Sequence, residues 1–316
     1  MQRRKLGKTA LEISVLGFGT SPFGNVFGHT EPQDNQGAVD VAIDAGINFF
    51  DVSPYYGLTL AEERLGRTLK GNRKKVVLAT KCGRYGVEEF DFSAKRIRRE
   101  MEASLRRLRT DFVDLLQAHD IEFASFNQII NEAIPTMREL QAEGKARYIG
   151  ITGYPVGMLK RVAEQVQVDS ILSYCRYNLI NTDIDAELMP FAEEHEIGLI
   201  NASPLMMGVL TTKGAPSWHP GSEGLKDAGR RAATAAARHG ANISALALQF
   251  AIERRTVTST LVGMATADQV KENLRSIEQK IDPTVLSDVR AAIDNGFTTT
   301  WMTGRPENAD IVEKIL

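Results

Sequence analysis

The chain repeats one structural unit eight times: a short apolar run, a turn and then a helical stretch. Runs this short and this apolar are typical of strands in a parallel sheet that is covered on both faces. No segment rich in Pro, Gly and Ser divides the repeats, so the pattern predicts one α/β domain over residues 1–316, folded as a (β/α)8 TIM barrel. An open, doubly wound sheet is the alternative architecture. The eight predicted strands are 14–19, 47–50, 75–80, 113–118, 148–152, 168–173, 197–201 and 259–263.

Two predicted helices carry clear boundary signals. Apolar residues recur on one face of the segment 94–109, and Ser93 stands before it as an N-cap. A second helix is predicted to begin at Thr59, because Glu62 three residues later completes the pattern of a capping box. Gly71 is expected to end that helix.

Three segments lie outside the repeat. Residues 2–14 predict a β-hairpin ahead of the first barrel strand, because two short strand patterns flank a turn. Residues 205–223 form the longest loop-like region. After Asn295 the helical periodicity is lost, and a polar tail that includes Trp301 is expected.

Composition excludes several classes of protein. The 38 Lys and Arg residues against 40 Asp and Glu residues give a net charge of −2, which argues against a nucleic-acid or anionic-membrane partner. Cys82 and Cys175 are expected to be free thiols, and five scattered histidines make a metal site improbable. No apolar stretch is long enough to span a membrane or to serve as a secretion signal. A reduced, cytoplasmic protein is therefore expected.

Ionisable residues follow three consecutive strands of the predicted barrel. Asp51, Lys81 and His119 come directly after strands 47–50, 75–80 and 113–118, and Tyr56 lies in the loop after Asp51. Active sites of such barrels lie at the carboxyl ends of the strands. Each residue alone also has a structural interpretation: Asp51 could cap a helix or turn, Lys81 could extend to solvent, and His119 could be a core residue. Because the three residues follow adjacent strands, an active site is favoured.

These four side chains predict a particular chemistry. A tyrosine hydroxyl titrates near pH ~10, and a neighbouring Lys81 ammonium is expected to lower the pKa of Tyr56. The Asp51 carboxylate would keep Lys81 charged, and His119 could hold a substrate oxygen by a hydrogen bond. Such a site suits proton transfer on a carbonyl or carbinol oxygen, which commonly accompanies hydride transfer to a nicotinamide.

Here the residues carry a resemblance. The order Asp51, Tyr56, Lys81, His119 within FFDVSPYYG, ATKCG and LLQAHD resembles the catalytic tetrad of the aldo-keto reductase superfamily. The longer strings TSPFGNVFG, YIGITG and ASPLMMGVL resemble its plant-type galactose dehydrogenases. The resemblance implies the barrel fold and an NAD(P)-linked oxidoreductase that converts an aldose at C1 to the aldonolactone. It makes Tyr56 the acid/base, Lys81 and Asp51 its supports, and His119 the group that orients the sugar oxygen.

The same resemblance implies where the cofactor binds. It assigns Gly19, Thr20 and Asp51 to the ribose side of the cofactor, and Thr152, Ser173 and Tyr174 to the nicotinamide. It assigns Ser203, Leu205 and Gly208 to the pyrophosphate, and Gly263, Gln269, Glu272 and Asn273 to the adenosine. Thr152, Tyr174 and Ala202 depart from the common superfamily pattern around the nicotinamide. Gln269 stands where NADP-dependent members carry an Arg, so NAD is the expected cofactor. No GxGxxG motif supports a Rossmann domain.

Substrate contacts are expected from rim loops of the barrel, at Phe23, Phe27, Tyr85, Asp120 and Trp301. A small-molecule sugar is the expected partner, and the oligomeric state stays open. Two other functions fit the same tetrad: a general aldehyde or ketone reductase, and a cofactor-binding regulatory subunit without catalysis.

Overall fold

A closed barrel of eight parallel strands forms the centre of the computed structural model, which describes residues 1–293 and 297–310. The predicted (β/α)8 barrel is therefore confirmed, and the doubly wound alternative does not hold. The strands are β3 (Leu16–Gly19), β4 (Phe49–Asp51), β5 (Val77–Cys82), β6 (Val113–Ala118), β7 (Ala146–Gly153), β8 (Ser170–Tyr174), β9 (Gly198–Ala202) and β10 (Val257–Gly263). Each pairs in parallel with the next, and β10 closes the barrel against β3.

A two-stranded antiparallel hairpin precedes the barrel, as predicted, and consists of β1 (Arg3–Lys5) and β2 (Glu12–Ser14). Leu6, Leu11 and Ile13 of the hairpin region pack with side chains of the barrel interior such as Phe49 and Leu115. The amino-terminal end of the barrel is thereby filled with apolar side chains. The opposite, carboxyl end is the one that carries polar groups.

The helices surround the barrel and mostly follow the predicted repeat. They are α1 (Pro32–Asp44), α2 (Leu60–Thr68), α3 (Ala94–Leu108), α4 (Phe126–Gln128), α5 (Ile134–Ala142), α6 (Val156–Gln165), α7 (Leu188–Glu194), α8 (Glu223–Arg238), α9 (Ile243–Glu253), α10 (Ala267–Glu278) and α11 (Pro283–Ala292). A π-helical segment, Ile129–Ala133, joins α4 to α5. The predicted cap of α3 is present, since Ser93 Oγ accepts a hydrogen bond from the Arg96 N–H.

The predicted capping box at α2 is wrong. Thr59 adopts a left-handed backbone conformation (φ 80°) and makes no side-chain cap. Glu62 is instead fully buried, and its carboxylate accepts hydrogen bonds from Thr80 Oγ1 (2.6 Å) and Arg107 Nε (2.6 Å). The pairing of Glu62 with α3 and β5 outweighs the local capping pattern. Gly71 has a positive φ (81°) just after α2, where the helix was expected to end.

The long loop after β9 and the carboxyl-terminal tail are both ordered by packing. A second apolar cluster joins α8, α9 and α11 to residues 206–210 of this loop. In the tail, the Trp301 ring stacks on Tyr154, with ring centres 4.4 Å apart. Asn295, from which a tail was predicted, lies outside the described residues, and the tail from residue 297 to 310 contains one short 3-10 helix, Pro306–Asn308. Within residues 1–293 and 297–310, no helix is long and apolar enough to cross a membrane.

Candidate active site

The carboxyl end of the barrel brings the four tetrad residues together. Asp51 is the last residue of β4, and Lys81 is the last residue but one of β5. Both therefore lie inside their strands, whereas the sequence predicted them directly after the strands. Lys81 Nζ donates hydrogen bonds to Asp51 Oδ1 and to the Val52 carbonyl (2.9 Å). The same nitrogen lies 4.9 Å from the centre of the Tyr56 ring. An ion pair therefore lies directly beside the tyrosine.

The charge of Lys81 is held by its neighbours. Both Lys81 and Asp51 have side chains that are almost fully buried, at 1% and 4% exposure. Burial alone would lower the pKa of Lys81, but the nearby Asp51 and Tyr56 together raise it above its usual value. Gln117 Nε2 donates to the second oxygen of Asp51 (2.9 Å), so both carboxylate oxygens have a donor. Lys81 is a permanent cation at neutral pH.

The expected low pKa of Tyr56 is wrong. Burial raises the pKa of Tyr56 to about 12, and the opposing pull of the Lys81 ammonium does not cancel this effect. The negative charges of Asp51 and Asp120 act in the same direction as burial. Tyr56 is therefore a protonated acid through the neutral range, although its side chain is only partly buried at the mouth of the cleft.

His119 lies against the tyrosine ring. The two ring centres are 5.8 Å apart and the ring planes are perpendicular. Its Nδ1 lies 3.0 Å from Ser53 Oγ, and its Nε2 lies 3.7 Å from Asp120 Oδ2. Burial, together with the cations Lys81 and Arg84, lowers the pKa of His119 well below its usual value. His119 is thus a neutral imidazole that can donate one hydrogen bond into the cleft.

A second ion pair borders His119. Arg84 Nη1 lies 2.5 Å from Asp120 Oδ2, and the guanidinium stacks 3.8 Å above the Tyr55 ring. Burial raises the pKa of Asp120, and Arg84 opposes that rise. Asp120 adopts a left-handed conformation (φ 52°), while its backbone N–H donates to Thr152 Oγ1 (3.1 Å). These contacts fix the carboxylate next to the imidazole.

The carboxyl-terminal tail crosses the loop that follows Asp120. The backbone carbonyl of Glu122 accepts from the Arg305 N–H (2.9 Å) and from Asn308 Nδ2 (2.9 Å). Asp310 accepts from the Val156 N–H at the start of α6 (3.1 Å) and pairs with Arg176 (2.7 Å). The tail therefore ties the loops after β6, β7 and β8 to one another.

The expected nicotinamide residues surround a small polar region at the ends of β7 and β8. Ser173 Oγ is buried and has no hydrogen-bond partner within the described residues. Thr152 Oγ1 accepts from Asp120, and the half-buried Tyr174 lies 5.3 Å from Tyr154, measured between ring centres. A buried hydroxyl without a partner is costly. An amide-bearing ligand such as nicotinamide fits this region because it would supply the missing partner.

The expected pyrophosphate loop is tightly turned. Ser203, Met206, Met207 and Gly208 all have positive φ angles between 49° and 106°. Leu205 and Ser203 are half-buried, so the loop presents backbone as well as side chains at the rim. Strained backbone of this kind is common where a scaffold must hold a ligand. The N–H groups of Met206 and Gly208 donate within the loop, to the Ser203 carbonyl (2.9 Å) and the Leu205 carbonyl (3.1 Å), so the turn is held by its own backbone.

The expected cofactor contacts at the first and last barrel strands divide into two groups. Gly19, expected at the ribose, and Gly263, expected at the adenosine, are register partners at the ends of β3 and β10. A Cβ at Gly19 would approach the Val262 carbonyl to 3.0 Å, so glycine permits the close packing of these two strand ends. Thr20, by contrast, is fully buried and its hydroxyl donates to the Asp51 carbonyl (2.8 Å). Thr20 fastens β3 to β4.

The expected adenosine contacts lie on α10. Gln269 completes a capping box with Thr266: its Oε1 accepts from the Thr266 N–H (3.3 Å), and its N–H donates to Thr266 Oγ1 (3.2 Å). The same oxygen also accepts from the Ala265 N–H (2.7 Å), so the side-chain oxygen of Gln269 is engaged in capping the helix. Glu272 is exposed and Asn273 is half-buried on the following turn.

Two expected substrate residues do not reach the cleft. Phe23 is fully buried and packs edge-on against Phe18, with ring centres 5.7 Å apart. Tyr85 is 6% exposed and lies under the Arg96 guanidinium of α3, with Arg96 Cζ 4.4 Å from the ring centre. Both aromatic rings pack into the apolar core outside the barrel. A rim position in the sequence did not imply a position in the cleft.

The other three expected substrate residues lie at the mouth or beside it. Asp120 borders His119, as described. Phe27 is 54% exposed and contacts Trp218 of the long loop, with ring centres 5.7 Å apart. Trp301 stacks on Tyr154 and touches the edge of His219 at 5.3 Å. The contact between Phe27 and Trp218 joins the loop after β3 to the loop after β9 across the rim.

Sequence reasoning missed four residues that touch the tetrad or its surroundings: Ser53, Arg84, Gln117 and Glu122 were not placed in the site. Ser53 and Arg84 stand two and three residues after Asp51 and Lys81, so their position near strand ends was the available signal. Gln117 lies inside β6, where only the two-residue strand alternation places it on the same face as His119. Glu122 follows the end of β6 by four residues, and its place in that loop was the available signal.

Cys82 and Cys175 are free and buried, and burial raises the pKa of each to about 12. Neither is a reactive thiolate at neutral pH. Among residues 1–293 and 297–310, no group of three or more His, Cys, Asp or Glu residues could hold a metal ion.

Comparison with known proteins agrees with this fold. Residues 15–294 match the Aldo/keto reductase family, and the chain belongs to it. It is an NAD(P)-dependent oxidoreductase that acts on CH–OH groups.

Relatives of known function are similar over most of their length. The chain is 44% identical to L-galactose dehydrogenase of Arabidopsis thaliana over 98% of this chain and 99% of that protein. It is 29% identical to D-threo-aldose 1-dehydrogenase of a Pseudomonas species, covering 83% and 89%. Among solved structures, aldo-keto reductase AKR11C1 of Bacillus halodurans in its holo form superimposes with a TM-score of 0.77 at 27% identity, covering 94% and 98%.

Proposed function

We propose that this protein is an aldose 1-dehydrogenase that oxidises L-galactose or a closely related sugar at C1 to the aldonolactone, with NAD as the preferred acceptor. The observation that carries the proposal is the Arg84–Asp120 ion pair beside His119. A carboxylate accepts and a guanidinium donates hydrogen bonds, as neighbouring hydroxyls of a sugar require. An apolar aldehyde has no hydroxyl that could bond with either group. The printed activities of the sugar-oxidising relatives support the same substrate class.

In this proposal the tetrad handles one proton. A bound nicotinamide supplies the acceptor for the C1 hydride. In its phenolate form, Tyr56 accepts the proton of the C1 hydroxyl at its phenolic oxygen, and His119 donates a hydrogen bond to the same substrate oxygen. Lys81 stabilises the tyrosine in its deprotonated form, while Asp51 holds Lys81 in place. The reverse reduction would use the same groups, with Tyr56 as the acid.

The substrate class is tested by turnover with a panel of aldoses, followed as NADH formation. We expect L-galactose or a stereochemical relative to give the highest kcat/KM. Faster reduction of simple aldehydes than oxidation of any aldose would favour the general reductase. Tight cofactor binding without turnover of any substrate would favour the regulatory subunit.

NAD preference is proposed from the charges around α10. The exposed Glu272 and Asp268 lie on this helix, and Lys271 is 3.9 Å from Asp268. A 2′-phosphate carries nearly two negative charges and requires paired cations. We expect kcat/KM to be at least about tenfold higher with NAD than with NADP, a difference of ~1.4 kcal/mol.

This preference is measured with both cofactors at one saturating sugar concentration. Glu272→Arg should narrow the NAD-to-NADP ratio without removing a cap. Gln269→Arg is the poorer probe, because it also removes the capping oxygen from α10. An equal or higher wild-type kcat/KM with NADP would overturn the proposed preference.

The pH dependence follows from the raised pKa of Tyr56. Since that pKa is about 12, the phenolate needed for oxidation is scarce at neutral pH and increases about tenfold for each pH unit. We expect kcat/KM for sugar oxidation to rise from neutral pH without a plateau below pH ~10. Reduction, which needs the protonated tyrosine, should stay nearly constant over the same range. A plateau of the oxidation profile near neutrality would assign the base to another group.

Asp120 should decide whether the substrate is a sugar. Asp120→Asn removes the charge that faces Arg84 and the hydroxyls, so KM for aldoses is expected to rise about 10- to 100-fold, as for one lost charge-assisted hydrogen bond. Reduction of propanal, which has no hydroxyl, should change by less than about threefold, or ~0.7 kcal/mol. Equal losses with both substrates would mean that the variant damages the tetrad rather than sugar recognition.

A further inference from the structure

Ser53 contacts two residues of the proposed reaction, Tyr56 and His119. It is fully buried in the loop between Asp51 and Tyr56. Its backbone carbonyl accepts a hydrogen bond from the Tyr56 N–H (3.1 Å), and its Oγ lies 3.0 Å from His119 Nδ1. One residue therefore contacts both the tyrosine backbone and the imidazole.

The hydrogen bonds of Ser53 limit which nitrogen of His119 carries the proton. Ser53 Oγ already accepts from the Tyr55 N–H (3.1 Å). If Nδ1–H of His119 also donated to this oxygen, the serine hydroxyl would need another acceptor, and the described residues offer it no other hydrogen-bond partner. If the hydroxyl instead donates to Nδ1, both the serine hydroxyl and the Tyr55 N–H have a partner, and the Nε2–H, 3.7 Å from Asp120 Oδ2, remains available to a bound substrate. Buried donors in native proteins are rarely left unpaired.

We propose that Ser53 is a positioning residue that fixes His119 as the Nε2–H tautomer, with this N–H directed at the substrate oxygen. Asp120 supports the arrangement, because its Oδ2 lies 3.7 Å from Nε2 and would repel a bare lone pair there. Lys81 and Arg84 are the cations near the ring, and they disfavour a doubly protonated imidazole. Tyr55 and Tyr56 complete the set of titratable groups around it.

The consequence for activity rests on the proposed function, whereas the tautomer itself does not. With Nε2–H, His119 donates to the oxygen that loses its proton and gains negative character. With Nδ1–H, the lone pair of Nε2 would face that oxygen and oppose the charge. Ser53 thus acts through His119, and its loss should impair the proton-transfer step more than cofactor binding.

The tautomer can be read directly by NMR of protein labelled with ¹⁵N-histidine, in which protonated and unprotonated ring nitrogens have distinct chemical shifts. His119→Gln identifies the His119 signals among those of the five histidines. We expect a protonated Nε2 and an unprotonated Nδ1 in the wild type. Ser53→Ala should shift His119 toward the other tautomer, and Ser53→Thr, which retains a hydroxyl, should restore the wild-type pattern.

Ser14→Ala is the matched control, because Ser14 is also fully buried but its hydroxyl bonds the Leu16 carbonyl (2.7 Å) at the far end of the barrel. It should leave the His119 signals unchanged whatever it does to thermal stability. A protonated Nδ1 in the wild type would overturn the proposal. An unchanged tautomer in folded Ser53→Ala would also overturn it.

Kinetics supply the second measurement. Ser53→Ala should lower kcat about tenfold, or ~1.4 kcal/mol, with unchanged NADH affinity. The loss should nearly vanish when His119 is already replaced by Gln, since Ser53 then has no imidazole to orient. Losses that multiply independently in the double variant would contradict the coupling. If the wild type turns over no aldose at all, the proposed function fails, while the NMR result still decides the tautomer.

Discussion

Tyr56→Phe is expected to lower kcat for sugar oxidation by about 10²- to 10⁴-fold, the usual contribution of a general acid/base. The variant keeps the ring that packs beside His119 and Lys81 and removes only the hydroxyl. Cofactor affinity, measured by fluorescence titration with NADH, should therefore change by less than about twofold, or ~0.4 kcal/mol. Thermal unfolding should stay close to that of the wild type, because the ring and its packing are retained.

The chain offers a matched control next to this residue. Tyr55→Phe removes the same atom from a ring that stacks under Arg84, with Arg84 Cζ 3.8 Å from its centre. Because the Tyr55 ring contacts Arg84 through its face rather than through its hydroxyl, kcat of Tyr55→Phe should fall by less than about threefold, or ~0.7 kcal/mol. A Tyr56→Phe enzyme with wild-type kcat would refute the acid/base assignment. Equal losses in the two variants would show that the loop, rather than one hydroxyl, had been disturbed.

The barrel was predictable because its strands are short, apolar and regularly spaced, so the pattern needed no knowledge of distant contacts. Strand ends shifted by at most two residues, as with Asp51, which lies inside β4 rather than after it. The capping box at Thr59 failed for a different reason. Glu62 pairs with Arg107, which is 45 residues away in the chain, and a local pattern cannot detect that competitor.

The tetrad could be located from the sequence because parallel strands deliver their ends to one rim. Its electrostatics could not, since the pKa of Tyr56 depends on how deeply the packed chain buries it as well as on Lys81. Phe23 and Tyr85 failed for a similar reason, because loop sequence does not specify which way an aromatic ring turns. Ser53 escaped notice because its role depends on a hydrogen bond to a residue on another strand.

The buried Lys81–Asp51 pair should give the largest change in stability. Lys81→Met leaves the Asp51 carboxylate buried without its cation, and Asp51→Asn leaves the ammonium of Lys81 without its anion. Each single variant is expected to lose about 3–5 kcal/mol in the free energy of unfolding, as when one member of a buried ion pair is removed. Both should also lose most activity, because Tyr56 then lacks a correctly placed cation. Urea unfolding, followed by circular dichroism, measures the stability.

The double variant separates the two effects. Lys81→Met combined with Asp51→Asn removes both charges, so it should be more stable than either single variant, with a coupling energy of at least about 2 kcal/mol. Its kcat should nevertheless remain at least about 100-fold below the wild type, because no cation assists Tyr56. Lys271→Met, which breaks an exposed contact to Asp268, should change stability by less than about 0.5 kcal/mol. Additive losses in the double variant would mean that the pair does not act as a unit, and recovered activity would remove Lys81 from the proton-transfer step.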